Sequence, residues 1–129
     1  MTPAMIVALT LWMEARGEPA AGRELVATVI VNRAKARRMS VEAVCLERKQ
    51  FSCWNDVKAS DGVPDVVVDE LVGPVWRHCM RLGELVVAGR YEPLNDAEYF
   101  YNPEVCHPAW ARDMVVVVKR GRHWFLREA

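Results

Sequence analysis

The 129-residue chain has no excess of either charge: 17 Lys and Arg side chains are matched by 17 Asp and Glu. Proteins whose main task is to grip nucleic-acid phosphate carry a basic surplus, so the balance speaks against that class. The basic run from Arg33 to Arg38 then reads as a solvated helix end. A long hydrophobic run is missing too. The apolar stretch that opens the chain is broken at Glu14, well short of the ~20 apolar residues that a membrane span needs. It also lacks the basic n-region of a secretory signal. The expectation is a chain made in the cytoplasm without a signal peptide and without stable membrane insertion. The four cysteines (Cys45, Cys53, Cys79 and Cys106) form no C-x-x-C pair, and His78, His107 and His123 are scattered. Tightly spaced ligand pairs are the mark of zinc sites, so no metal and no cofactor are expected. Free, mostly buried thiols suit a reducing compartment, and a Cys45–Cys53 pair formed after export stays open. Nor is there a G-x-S-x-G elbow, a cysteine with an evident histidine partner, or a Gly-rich phosphate loop.

What is present fits one soluble globular domain spanning residues 1–129, with 52% hydrophobic and 26% charged residues. Met5, Ile6, Leu9, Trp12 and Met13 recur at helical spacing after Pro3, predicting a helix over 3–16 that Gly17 and Pro19 end. Leu25, Val26, Val29, Ile30 and Ala34 predict a second helix over 20–38. Ser40 is a plausible N-cap for a short helix reaching Arg48. Residues 50–65 are rich in turn formers and read as a loop. A fourth apolar periodicity covers 65–88, with a kink or break expected at Pro74. The last forty residues change character. Aromatics crowd 96–103, Pro108 to Arg112 suggests one helical turn, and Met114 to Lys119 with Arg122 to Leu126 flank Gly121 as a β-hairpin. The predicted class is α+β, mostly α, with a small C-terminal β-hairpin.

Two kinds of residue could carry chemistry. Glu14 shares its helix face with Val7, Thr10 and Leu11 near the helix C-terminus. Desolvation and the helix dipole there both favour a protonated carboxyl, the form that donates a proton to a glycosidic oxygen. An exposed glutamate paired with Arg16 is the plainer alternative. Glu18 is the candidate second carboxylate, although its position before Pro19 fits better with a first-turn acid of the second helix. The other kind is the sugar-binding mixture of rings with fixed polar groups. Gln50, Phe51, Ser52 and Trp54 supply it in one segment; Tyr99, Tyr101 and Asn102 supply it in another. If residues 99–102 form a strand, alternate rings face the core. His123 and Trp124 point to opposite faces, and one of them belongs to the core.

The strings Glu14-Ala15-Arg16-Gly17-Glu18-Pro19, Val26 to Arg33, and Gln50-Phe51-Ser52-Cys53-Trp54-Asn55 resemble the SleB-type cell-wall hydrolases, the spore cortex-lytic family. The likeness returns at 97–102, in Pro108-Ala109-Trp110-Ala111 and in Gly121 to Phe125, so it runs nearly the whole chain in order. It implies a single lysozyme- or lytic-transglycosylase-like domain. Such a domain acts on bacterial peptidoglycan between N-acetylmuramic acid and N-acetylglucosamine. By the same resemblance Glu14 is the catalytic acid and base and needs no paired carboxylate. The product would be a 1,6-anhydro end, with a hydrolytic muramidase as the alternative. Glu18, Gln50, Phe51, Ser52, Trp54, Tyr99, Tyr101, Asn102 and His123 are the expected substrate-binding residues. Two features depart from the pattern: Glu98-Tyr99 stands where many relatives carry Thr-His, and the chain is expected to work without the leader and wall-binding domain of the spore enzymes. A bare domain of this kind looks like a phage or prophage endolysin, a monomer released to the wall through a holin-type pore. On that view the 33–38 run could touch anionic wall polymers. A non-catalytic glycan-binding module is the competing class.

Overall fold

A computed structural model of the chain describes residues 1–47 and 72–129. Among the described residues four α-helices and three strands follow in the order α1 (Pro3–Ala15), α2 (Ala20–Arg37), α3 (Val41–Leu46), α4 (Gly73–Val87), β1 (Tyr99–Tyr101), β2 (Val115–Arg120) and β3 (His123–Arg127), with one 3-10 turn at Ala109–Ala111 between β1 and β2. Thr2 caps α1, its hydroxyl accepting from the Met5 amide at 3.2 Å, and Pro3 occupies the first turn, where its missing N–H costs nothing. Apolar residues occupy more than one side of α1: Ile6 to Trp12 are buried without a break. A helix that is apolar all round belongs in the middle of a domain, and α1 does pack against each of the other three helices.

The α1–α4 contact is close because Gly83 has no side chain. A Cβ there would sit 2.6 Å from the Ala4 carbonyl oxygen and 3.3 Å from the Ala8 Cβ. Pro74 does not kink α4. It lies in the first turn, after Val72 and the left-handed Gly73 (φ +86°), so it starts this helix. Residues 65–71 of the expected longer helix lie outside the described residues.

Helix α2 is the scaffold for the sheet. Its Asn32 amide nitrogen donates to the carbonyls of Asn95 (2.8 Å) and Ala97 (2.9 Å), while Arg33 Nη2 and Nε donate to the Glu98 carbonyl at 2.6 and 3.0 Å. Arg33 is only 3% exposed, which corrects the expectation of a solvated basic run. Its guanidinium is held by a carbonyl that strand pairing leaves available, and burial lowers its pKa from the ordinary arginine value. Farther along the run, Arg37 pairs with Glu47 at 2.7 Å on the surface.

The segment leading into β1 is thus pinned before the strand begins. The sheet order is β1-β3-β2, all antiparallel, with Tyr99 opposite Leu126, Phe100 opposite Phe125 and Tyr101 opposite Trp124. A register shift between Val116 and Val118 marks a bulge in β2. The expected hairpin is present, turned by Gly121 at φ +57°, and β1 adds a third strand to it. Phe100, Val117, Val118 and Phe125 join the helical core.

Candidate functional site

Helix α1 ends where the Arg16 amide donates to the Trp12 carbonyl (3.0 Å) and the Glu18 amide turns back onto Ala15 (3.1 Å). This leaves Glu14 half-buried in the last turn, at the edge of a cleft of about 320 Å³. From the helical side the cleft is lined by Glu14, Arg16 and Glu18; from the sheet side come Asn102, Arg122 and His123. The structure therefore brings four of the sequence-predicted residues (Glu14, Glu18, Asn102 and His123) to one place, across a chain separation of about a hundred residues. Arg16 and Arg122 also line it, although the sequence alone did not single them out. The Arg16 guanidinium lies 4.5 Å from the Trp12 ring centroid and donates to the Met13 carbonyl at 3.3 Å, so it is held at the rim. Asn102 is fixed by its own turn: its side-chain oxygen accepts from the Glu104 amide at 2.9 Å.

Glu18 departs from its expected role. The start of α2 has no side-chain cap, and the Glu18 carboxylate reaches away from it. Its two oxygens accept from the Arg122 amide at 3.2 and 3.4 Å, in the β2–β3 turn. The side chain is 8% exposed and lies 3.7 Å from Nδ1 of His123, itself 9% exposed. That Nδ1 is buried and has no hydrogen-bond partner among the described residues. Burial lowers the His123 pKa, with the nearby Glu18 opposing the shift. No short-range sequence signal reveals a contact between residues 18 and 122. The available clue was a pair of glycines, at positions 22 and 121, both of which leave room for Glu18.

The other predicted residues sit elsewhere. Strand alternation sends Phe100, His123 and Phe125 to the inner side, where His123 meets Phe100 edge-on at 5.2 Å and Phe125 at 6.0 Å. Tyr101 and Trp124 occupy the opposite side and line a second groove of about 400 Å³ with His107 and Arg112. Tyr99 is engaged by its own partners. Its hydroxyl donates to Glu128 at 3.0 Å, and its ring lies 5.2 Å from the Arg33 guanidinium. Glu98 offers its backbone to Arg33 and to β3, and it does not line the cleft. Gln50, Phe51, Ser52 and Trp54 lie outside the described residues, as does Cys53. Burial pushes the Cys45 thiol up to about 12 and the Cys79 thiol up to about 11, so both are inert packing groups at neutral pH. Cys45, Cys79 and Cys106 are free, the last of them exposed. Among the described residues no helix is long and apolar enough to cross a membrane.

The family model described as Cell Wall Hydrolase matches residues 17–126, a span that begins just after Glu14. The spore cortex-lytic enzyme of Oceanobacillus iheyensis is 25% identical over 128 residues, covering 95% of this chain. The chain spans 40% of the length of that curated relative. Two solved structures share the fold. The catalytic domain of the germination-specific lytic transglycosylase SleB from Bacillus anthracis superposes with a TM-score of 0.69 at 23% identity, covering 97% of this chain and 93% of that one. The catalytic domain of the Bacillus cereus SleB protein gives 0.70 at 24% identity, with 97% and 89% covered.

Proposed function

The chain belongs to the cell wall hydrolase family, and from that premise we propose that it cleaves peptidoglycan glycan strands between N-acetylmuramic acid and N-acetylglucosamine. The reaction is lytic transglycosylation, with Glu14 as both acid and base. One observation supports the choice of mechanism: of the two carboxylates that line the cleft among the described residues, Glu18 is tied to the Arg122 amide, and Glu14 stands at the cleft edge in the last turn of α1. Two-carboxylate hydrolysis requires a second group to act as nucleophile or to activate a water. In the proposed reaction Glu14 works without a second carboxylate, and the attacking oxygen comes from the substrate.

The steps follow from that. Protonated Glu14 gives its proton to the glycosidic oxygen as the bond from C1 of the muramic acid breaks. The substrate's own 6-hydroxyl oxygen attacks C1, and the Glu14 carboxylate takes the hydroxyl proton. A 1,6-anhydro-muramic end and a free N-acetylglucosamine hydroxyl result, and Glu14 is again protonated. No water is consumed. The cationic rim of Arg16 and Arg122, together with Asn102, supplies donors for the sugar's hydroxyl and N-acetyl groups. Gln50, Phe51, Ser52 and Trp54 belong to the proposed binding surface through the family resemblance. The proposed setting is a monomer of an endolysin type that reaches the wall by holin-type release. Co-expression with a holin tests release, and light scattering tests the oligomeric state.

The direct test of the site is Glu14→Gln, which preserves size and removes the titrating group. Loss of an essential acid and base costs at least about 10²–10⁴-fold, so wall clearing should fall by that much at an unchanged melting temperature. A variant that keeps most of its activity removes Glu14 from the reaction.

A further inference from the structure

Glu18 is a charged side chain that is nearly buried beside the cleft, yet the chemistry above leaves it without a part. Burying a carboxylate is costly unless hydrogen bonds compensate it. Here compensation comes from a backbone amide in the turn of a distant hairpin. We propose that Glu18 is a positioning residue: it ties the β2–β3 turn to the α1–α2 junction and so fixes the cleft wall that faces Glu14. The inference rests on this cleft being the cleavage site.

Both ends of the tie are built for it. At the α1–α2 junction the Glu18 amide donates to the Ala15 carbonyl, and the Glu18 carbonyl accepts from Arg23 Nη1 at 2.8 Å. Arg23 is itself held by Nδ1 of His78, at 2.8 Å from its Nε, so the backbone at residue 18 is fixed from α2 and α4 together. The side chain then passes Gly22, where an added Cβ would lie 2.8 Å from the Glu18 Cβ. It ends against Gly121, where an added Cβ would overlap Glu18 Oε2. Gly121 is also left-handed, as the tight turn requires, so glycine meets two demands at that position.

What the tie positions is chemically relevant. Arg122, whose amide is gripped, lines the cleft, and so does His123 after it. Neither Arg122 nor Arg16 has a carboxylate partner within ion-pair distance among the described residues. Arg16 is held against Trp12 and the Met13 carbonyl, and the turn sets where Arg122 starts. Glu18 itself is a poor substrate ligand, since both oxygens face the Arg122 amide and little of the side chain is exposed.

The experiment compares wild type, Glu18→Ala, Glu18→Gln and Gly121→Ala by two readouts. One is hydrogen exchange of the Arg122 amide by NMR. The other is the rate of muropeptide release from sacculi per folded molecule. In Glu18→Ala the amide should exchange faster and release should slow by about 10–100-fold, the scale expected when catalytic geometry is displaced by about an ångström. Glu18→Gln keeps an oxygen that accepts from the amide and should restore most of both signals. Gly121→Ala should reproduce the alanine phenotype with Glu18 intact, and adding Glu18→Ala to it should cost little more.

Unchanged amide exchange in Glu18→Ala would mean there is no tie. Faster exchange with unimpaired release would make the tie purely structural. Equal losses in Glu18→Gln and Glu18→Ala, as deep as that of Glu14→Gln, would place Glu18 in the chemistry itself. If wild type releases nothing, the proposed activity fails, and the exchange data still report separately whether the tie exists.

Discussion

The two faces of the small sheet carry similar residues and do different things. On the inner face Phe100, His123 and Phe125 pack against one another and against the helical core, and the His123 side chain also borders the cleft. On the outer face Tyr101 meets Trp110 and Trp124 edge-on at 5.9 and 5.8 Å, and Lys119 lies 4.2 Å from the Trp124 ring centroid. Trp110 remains 46% exposed, whereas Phe125 is fully buried. One aromatic-rich stretch of sequence therefore serves two surfaces. A cluster of rings in a sequence shows that rings are available, and the two-residue period of the strand decides which of them share a face.

Substitutions on each face should separate these roles. Phe125→Ala removes a fully buried ring from the inner face and should cost about 3–5 kcal/mol, read as a large fall in the urea midpoint. A loss comparable with that of an outer-face residue would merge the two faces into one core. Trp124→Ala removes an edge-on ring pair and a cation contact from the outer face. The ring pair is worth about 0.5–1.5 kcal/mol beyond its buried area, so the fall should be clearly smaller. Wall clearing per folded molecule should survive it; a collapse of activity at retained stability would move the glycan groove to the outer face.

A third contrast is in pH. His123 and His78 both have lowered pKa values, chiefly through burial. The folded state therefore favours their neutral forms, and the unfolded chain takes up protons first as pH falls through about 6.5. Their contribution to stability is complete above that value and is lost as pH drops toward the folded pKa. His123→Gln should flatten this acid slope. The smallest effect is expected at Val116, which is 39% exposed on β2. Val116→Thr should shift stability by no more than about 0.5 kcal/mol.

Local signals made much of the fold legible. The periodicity of α1 and α2, the Ser40 cap and the hairpin around Gly121 were all readable because each depends on neighbours a few residues away. The Ser40 hydroxyl accepts from the Ala43 amide at 3.2 Å, as an N-cap should. Pro74, expected to mark a kink or a break, stands in the first turn of α4; a proline within an apolar periodicity can break a helix or begin one, and the choice depends on what precedes it. Arg33 misled because charge alone does not show whether a long side chain turns inward to a strand carbonyl. The place of Glu14 in the last turn of α1 was readable from the helix periodicity and the Gly17 and Pro19 that follow it. Glu18 was not, since its partner lies 104 residues away and the contact exists only once the hairpin packs against the α1–α2 junction.

In the proposed reaction Glu14 serves as both acid and base and makes the substrate's own hydroxyl the attacking group. Mass spectrometry of muropeptides released from purified sacculi tests it most directly. Wild type should release fragments ending in 1,6-anhydro-muramic acid, and Glu14→Gln should release almost none. Fragments with reducing muramic ends would mean that water attacks instead, and intact sacculi after treatment with wild type would contradict the proposed activity altogether.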